Sequence, residues 1–413
     1  MSQPHFVRRL LLPLVPLYRL ALAFHELRLL AAPTRRLRYP VVSIGNLSTG
    51  GSGKTPLTIA LARALLWRGI RVDVLSRGYG RQSQWIDRVD EHGTAEDFGD
   101  EPLLITRVTG VPVYVSPQRY DAGLLAEADA KAETDAKAKA DEKVDADARK
   151  LTSPSKEADT NNEKPSAQTE PTLASVKPEV PVLTANVKPA ESSGELAPEV
   201  SPVEKSPADA KPPLHVHLLD DGFQHRQLAR DVNILLLNQR DWQDWLLPAG
   251  NLREPIEAIS RADVLALPAN EPELEVALHC FGWDRPVWRL FRSLEIPEVN
   301  GPVAAFCGIA HPNQFFEGLE DAGLKVALRL AFPDHYTYTV SVLEELIAQA
   351  SEMNVAAVIT TEKDLVRMGN LALLFPKSMP LTTARLHIKI EDEKSAIDWL
   401  VKRLAPSPPH PPL

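Results

Sequence analysis

The chain has 413 residues, room for roughly two domains, and 44% of them are hydrophobic, enough for a large core. A formal net charge of −9 argues against a general nucleic-acid binder. Two cysteines, Cys280 and Cys307, exclude a disulfide framework and a cysteine-based metal cluster; both read as core packing in a chain suited to a reducing compartment.

The charge is uneven from the start. Residues 1–40 carry Arg8, Arg9, Arg19, Arg28, Arg35, Arg36 and Arg38 against one acid, Glu26, in an otherwise apolar segment. Arg19 and Arg28 interrupt the apolar core that a signal peptide would need, and no uncharged run reaches the roughly 20 residues of a membrane span. At 100° per residue Arg8, Arg19 and Glu26 share one face and leucines cover most of the rest. Pro13 and Pro16 break the first part. The expectation is an interfacial helix drawn to anionic lipid, with a helix packed on the protein's own core as the competing reading.

Residues 41–125 alternate strand and helix. Val41–Ile44 reads as a strand, Pro56–Trp67 as a helix stopped by Gly69, and Ile70–Ser76 and Val111–Val115 as further strands. This rhythm predicts a parallel sheet covered by helices. From 126 to 213 aromatics vanish and Gly194 is the one glycine; Ala, Lys, Asp and Glu give way to Pro, Ser, Glu and Lys. Such a segment buries too little apolar surface to offset its ordering entropy, so a disordered insertion is expected, with transient helix near 126–150. Order resumes at Leu214. Val232–Leu237 and Ala262–Leu267 read as strands, then Val303–Phe306 (strand), Pro312–Ala322 and Val340–Ser351 (helices) and Val355–Thr360 (strand). The tail 405–413 is disordered by composition.

The run Gly50-Gly-Ser-Gly-Lys-Thr55 lies between a strand and a helix, the context a phosphate-binding loop requires. Ser48, Thr49, Gly50, Gly51, Ser52, Gly53, Lys54 and Thr55 are therefore the expected nucleotide-binding residues. Glycines let backbone N–H groups curl around phosphate, and the helix N-terminus adds its positive end. Lys54 would reach the outer phosphates and Thr55 would ligate Mg²⁺. Ser48 stands where the usual spacing has a first glycine. The pattern is nearer to Gly-Gly-x-Gly-Lys-Thr loops of partitioning ATPases, but Thr49 replaces their lysine. Downstream, an apolar strand ends in Asp220 and Asp221, a pair placed to hold Mg²⁺.

Phosphoryl transfer further needs positioning groups and a proton acceptor. Asp100 and Glu101 lie in a loop before a helix, and helix capping competes as their role. His335 lies in a polar aromatic loop and becomes a base if paired with an acid. Arg77, Arg119 and Arg253 are candidate anion clamps against surface ion pairs. Thr360–Asp364 follows a strand, where α/β folds place ligand loops.

Seven motifs occur together: Ser43-Ile-Gly-Asn through Lys54-Thr-Pro56, Ser76-Arg-Gly-Tyr-Gly-Arg81, Gly99-Asp-Glu-Pro102, Asp220-Asp-Gly-Phe-Gln-His225, Leu247-Pro-Ala-Gly-Asn-Leu-Arg-Glu-Pro255, Phe332-Pro-Asp-His-Tyr336 and Thr360-Thr-Glu-Lys-Asp364. In these motifs and their order the chain resembles the tetraacyldisaccharide 4′-kinases of lipid A biosynthesis. Asp-Asp-Gly-Phe-Gln-His is the most specific of them. The resemblance departs at Asn251, where proline is expected, and at 126–213, where a short connector is expected.

The resemblance implies two α/β domains with the active site in the cleft between them. It implies an enzyme at the cytoplasmic face of the bacterial inner membrane, moving the γ-phosphate of ATP to the 4′-hydroxyl of a tetraacyl glucosamine disaccharide 1-phosphate. Asp100 assisted by His335 would activate that hydroxyl. Asp220, Asp221, Thr55 and Glu101 would serve Mg²⁺. Arg77, Arg119, Gln224, His225 and Arg253 would contact substrate. The expected fold is thus a P-loop α/β domain (41–237, interrupted by the insertion) and a smaller α/β domain (238–404) whose last segments pack back on the first, behind an N-terminal membrane-associated helix. Its partners would be the lipid substrate and an anionic membrane surface, with no nucleic acid and no obligate protein partner. The alternative is a membrane-associated switch or partitioning ATPase.

Overall fold

The computed structural model describes residue 8 and residues 10–31, 33–51, 53–152 and 214–405. The chain divides into one compact unit of 1–135 with 213–413 and a second of 136–212.

Helix α1 (Val15–Ala31) follows a 3₁₀ turn at Leu12–Leu14. Pro13 sits in that turn and Pro16 in the first turn of α1, where a missing N–H costs nothing, so the prolines mark the start of the helix without breaking it. Val15, Tyr18 and Leu22 pack on a core cluster with Phe223, Leu246 and Leu252. The other face leaves Leu17, Leu20, Phe24 and Leu27 60–67% exposed. The competing reading, a helix packed on the protein's own core, holds for the face with Val15, Tyr18 and Leu22. Among the described residues no helix is long and apolar enough to cross a membrane.

The sheet has twelve strands: β1 (Val41–Asn46), β2 (Arg71–Ser76), β3 (Asp87–Arg88), β4 (Val113–Val115), β5 (His215–Asp220), β6 (Val232–Leu236), β7 (Val264–Pro268), β8 (Val287–Glu295), β9 (Val303–Cys307), β10 (Val326–Ala331), β11 (Ala357–Thr361) and β12 (Leu381–Ile390). Their order is β10-β9-β11-β12-β8-β7-β6-β1-β5-β2-β4-β3. All pairings are parallel except β12–β8 and the edge pair β3–β4. Every residue of β1 and of β5 is buried, the signature of a parallel sheet covered on both faces. Helix α2 (Lys54–Trp67) covers one face; Leu57, Leu61 and Leu65, four apart, pack on Val42, Ile44, Val216 and Leu218. It ends at Gly69, φ +71°.

Strand β12 changes partner half-way. Leu381–Ala384 run parallel to Val358–Thr361 of β11, while Arg385–Ile390 run antiparallel to Leu290–Glu295 of β8. The carboxyl ends of β11 and β8 therefore both arrive at Ala384–Arg385. Two parallel blocks, β1–β8 and β9–β11, turn their carboxyl ends toward each other, the side on which α/β proteins bind ligands.

Three expectations are corrected. A domain boundary at 238 does not coincide with a break, because β6 and β7 on either side of it pair directly; β7 and β8 belong to the first block. The final helix (Glu393–Leu404) does pack back, its Ile397 and Leu400 joining the core of α2. Cys307 is buried as expected, but Cys280 is exposed. The insertion cannot begin at 126: one helix runs from Arg119 to Thr152. Ala122 and Ala126 pack with Leu37, Tyr114 and Leu228, and Ala130 is buried as well. Glu127 accepts hydrogen bonds from the backbone N–H groups of Arg38 and Tyr39. Gly123 lies so close to Leu37 that any Cβ would collide. Small residues at i and i+4 bring this helix against the sheet, a signal masked by the Ala/Lys/Asp/Glu composition. The expected disorder of the insertion beyond Thr152 and of the tail after 405 lies outside the described residues.

Replacing 136–212 by a flexible linker should leave the thermal midpoint within about 2 °C of the parent, measured by calorimetry. Ala126→Asp should destabilise by roughly 3 kcal/mol, because it buries an unpaired charge.

Candidate functional site

Strand β1 delivers Asn46 to the glycine loop, and Gly53 (φ +91°) turns the chain into α2, whose first residue is Lys54. The Asn46 Oδ1 accepts from Lys54 Nζ at 3.0 Å and from Arg253 Nη2 at 2.6 Å, and its Nδ2 donates to Ser48 Oγ at 3.1 Å. Asp221, just past β5, pairs with Lys54 at 3.4 Å and Arg253 at 3.1 Å. Burial opposes its ionisation, but Lys54 and Arg253 hold its carboxyl well below the usual range. Its neighbour Asp220 accepts from Thr58 Oγ1 at 3.0 Å. Burial, then the charges of Glu101 and Asp221, push Asp220 up to about 7.

The 247–255 loop docks on the glycine loop through Thr49 N to Asn251 O (2.8 Å) and Arg253 N to Leu47 O (2.7 Å). Asn251 replaces the expected proline and uses what proline lacks: its backbone N and Nδ2 both donate to Asp244, at 3.1 and 2.7 Å. A Cβ on Gly53 would lie 2.7 Å from Arg292 Nη2, and Cβ atoms on Gly50 and Gly51 would lie 3.7 and 3.6 Å from Ala310, in the loop after β9. The glycine loop thus faces the second block.

That block supplies His335, Lys363 and Arg367, which meet Asp100 and Glu101 of the first block. Helix α3 (Ala95–Phe98) and helix α4 (Asp100–Thr109) meet at Gly99, and Asp100 and Glu101 form the first turn of α4, where acids complement the helix dipole. Asp100 is 4% exposed. Its Oδ2 accepts from Arg367 Nη2 at 2.6 Å and lies 3.2 Å from His335 Nδ1. Burial opposes its ionisation, but the His335 hydrogen bond and the charges of Lys363 and Arg367 hold it well below the usual range. The Asp100 contact in turn raises His335. His335 has φ +58°, and Tyr79 lies 5.1 Å from its ring. Glu101 pairs with Lys363 at 2.6 Å.

Arg367 was not singled out by the sequence. It sits on helix α4's partner, α5 in chain order of the site-bearing helices (Glu362–Met368), three residues after Asp364, which it also contacts at 3.0 Å. Gly308 N–H and the Tyr338 hydroxyl donate to the same Asp364 oxygen. The i, i+3 spacing from the Thr360–Asp364 motif was the available signal. Asn46 lies within the Ser43–Asn46 motif without a role of its own, and Arg292, on β8, carries no motif.

The remaining expected residues group less tightly. Arg119 is 8% exposed, its Nε lacks a hydrogen-bond partner, and its surroundings hold the charges of Asp221, Arg77 and Asp220. Burial and then the charges of Arg119, Arg230 and Arg77 lower His225 to about 4, which keeps it neutral at pH 7. Gln224 Nε2 donates to Asn46 O at 2.9 Å, and its Oε1 is buried without a partner. Thr55 is buried on α2. Ser52 lies outside the described residues. Among the described residues Glu101, Asp220 and Asp221 do not bring three ligand atoms together. A magnesium ion there would be held partly by phosphate and water, as Mg²⁺ commonly is.

Fold and site together define a mixed α/β protein whose glycine loop, opening a helix, lies in a site where His335 and Arg367 of the second strand block meet Asp100 of the first. The chain belongs to the LpxK family: the family model described as tetraacyldisaccharide-1-P 4′-kinase matches residues 7–135 and 203–405. The gap in that match falls where the long helix leaves the core. The tetraacyldisaccharide 4′-kinase of Koribacter versatilis is 33% identical over 379 residues, 89% of this chain and 90% of the relative. That of Aquifex aeolicus is 32% identical over 358 residues, covering 83% of each. The crystal structure of LpxK from Aquifex aeolicus in complex with ATP superposes with a TM-score of 0.60 at 28% identity, covering 96% of this chain and 99% of that one.

Because Asp220 is raised, the folded metal-free protein binds a proton that the unfolded chain releases between about pH 4 and 7. Its burden on stability is absent below about pH 4, grows as pH rises and is complete above about pH 7. Asp220→Asn should therefore raise the metal-free unfolding midpoint at pH 8, with the gain vanishing near pH 4.

Proposed function

We propose that this protein is an ATP-dependent lipid kinase that phosphorylates the 4′-hydroxyl of a tetraacyl glucosamine disaccharide 1-phosphate. The observation that carries the reading is the confrontation of the Lys54–Asp221–Arg253 loop cluster with the Asp100–His335–Arg367 cluster, in a chain of this family.

The residues fit a nucleotide with its metal. Gly53 takes a left-handed φ of +91°, Lys54 opens the helix, and the buried Asp220 carboxyl stays raised by burial, Glu101 and Asp221 although Lys54 lowers it. Bound ATP supplies the phosphoryl group and Mg²⁺ spreads its charge. Thr55, Asp220, Asp221 and Glu101 are the residues that would hold the metal, while Ser48 to Gly53 wrap the phosphates with backbone N–H groups. Asp100 orients the sugar hydroxyl and accepts its proton late, which suits the loose transition state of phosphoryl transfer. Arg367 keeps Asp100 ionised and fixed, and His335 shares its Oδ2. Arg77, Arg119 and Arg253 neutralise phosphate oxygens, with neutral His225 and Gln224 beside them.

The exposed leucines of α1 support a membrane-surface reading. Leu17, Leu20, Phe24 and Leu27 would enter the acyl boundary of an anionic leaflet, presenting the cleft to a lipid that does not leave the bilayer. On this reading the protein works at the cytoplasmic face of the inner membrane, where ATP is available. The segment from 136 to 202 is proposed to be an insertion dispensable for catalysis.

The test is transfer from γ-labelled ATP with Mg²⁺ to the tetraacyl disaccharide 1-phosphate in detergent micelles. Labelled lipid is expected from the parent, with kcat reduced about 10²–10⁴-fold in Asp100→Asn and His335→Ala. Free phosphate without labelled lipid, from the folded parent, would sink the kinase reading in favour of a switch ATPase. Leu17→Asp/Leu20→Asp should abolish co-sedimentation with anionic phospholipid vesicles while preserving turnover of micellar substrate.

A further inference from the structure

Strand alternation puts His215 and His217, two residues apart, on one face of β5. On the neighbouring strand β2, Asp73 stands in register with His217. The His215 Nε2 lies 2.6 Å from Asp73 Oδ2, and His217 Nδ1 lies 2.6 Å from Asp73 Oδ1. All three side chains are buried, at 4%, 0% and 3% exposure. One ligand atom from each lies within 4.8 Å of the other two.

The mechanism uses none of them. His215 begins β5 and Asp220 ends it, so at about 3.3 Å per residue the cluster is roughly 10–16 Å from the cleft. Two imidazoles and a carboxylate are the donor set of zinc and other first-row transition ions. The back of the site is furnished as well. Glu127 Oε1 lies 3.6 Å from His217 Nε2, a ring nitrogen with no hydrogen-bond partner. A carboxylate behind a ligating histidine fixes its tautomer and orientation. The Tyr39 ring closes over His215 with centroids 4.2 Å apart.

We propose that Asp73, His215 and His217 form a structural site for a divalent transition-metal ion of the zinc class, with Glu127 orienting His217 from behind. The ion takes the place of the protons now shared between the carboxylate and the two rings. Bond lengths near 2.0–2.2 Å with tetrahedral angles require the ligand atoms to part by about 0.8 Å. Buried on all sides, the site offers no open position for a substrate. It ties together β2, β5, the 38–39 backbone and the long helix that carries Glu127.

The experiment uses the full-length chain purified from cells grown with added zinc and dialysed against excess Mg²⁺, which saturates the oxygen-rich cleft. Elemental analysis should find about one zinc per chain in the parent and background levels in H215Q and H217Q. E127Q should keep the ion with about 10–100-fold weaker affinity. Cobalt grown in instead of zinc should give the visible absorption of a low-coordinate, imidazole-bound ion in the parent. Folded parent protein without zinc, or zinc retained in both histidine variants, overturns the site. If neither variant folds, the cobalt spectrum of the parent decides: its absence means a hydrogen-bonded cluster and no metal.

Discussion

The change of partner along β12 is the constraint on which the rest of the site depends. A single parallel sheet sends all its carboxyl ends in one direction and leaves the loops there open to solvent. Here β12 runs parallel to β11 for four residues and antiparallel to β8 for six. Two sets of strand-end loops are therefore turned against each other. The glycine loop, Asp220 and Asp221 come from one set, and His335, Lys363 and Arg367 from the other. Ala310 and Arg292 stand beside the loop's glycines: a Cβ on Gly53 would displace the end of the Arg292 side chain, while one on Gly50 or Gly51 would make ordinary contact with Ala310.

What holds the two sets in register is ionic. Arg367 and Lys363 reach Asp100 and Glu101 on the opposite block, and Arg367 and Asp100 are nearly free of water, with side chains 7% and 4% exposed. Burying such charges gains little net stability over an apolar contact, but removing one partner leaves the other uncompensated. That asymmetry favours one alignment of the blocks over neighbouring ones. It also explains why the Asp100 carboxylate stays ionised in a site that burial alone would neutralise.

Much of this was legible in the sequence, for reasons particular residues make plain. The apolar run before Asp220 and the Gly–Lys–Thr step after β1 follow local rules of strand burial and helix entry, and the structure has both where those rules put them. Asp100 and His335 lie 235 positions apart, so their contact was available only through the family resemblance. Strands β8, β10 and β12 escaped notice because they are only partly buried and their patterns are broken, as in the exposed Arg292–Ser293 stretch of β8. The start of the long helix was misread because composition masks the Ala122–Ala126–Ala130 stripe. Arg367 was invisible because its meaning depends on a partner in another strand block.

The adjacent acids Asp220 and Asp221 look equivalent in the sequence, and the structure separates them. Asp221 already has two cations, Lys54 and Arg253, and is held ionised by them. Asp220, the last residue of β5, lies in a buried space where Glu101 and Asp221 raise its pKa, Lys54 lowers it and the Thr58 hydroxyl donates to the carboxyl. The carboxyl with the most to gain from a divalent cation is therefore Asp220, while Asp221 is already paired with Lys54 and Arg253 beside the loop. Cation binding at Asp220 must release the proton that burial has stabilised there, so affinity rises with pH toward 7 and levels off above it. Two neighbouring residues of one motif thus lie in different electrostatic surroundings because β5 ends at Asp220 and the chain turns at Asp221, where φ is +48°.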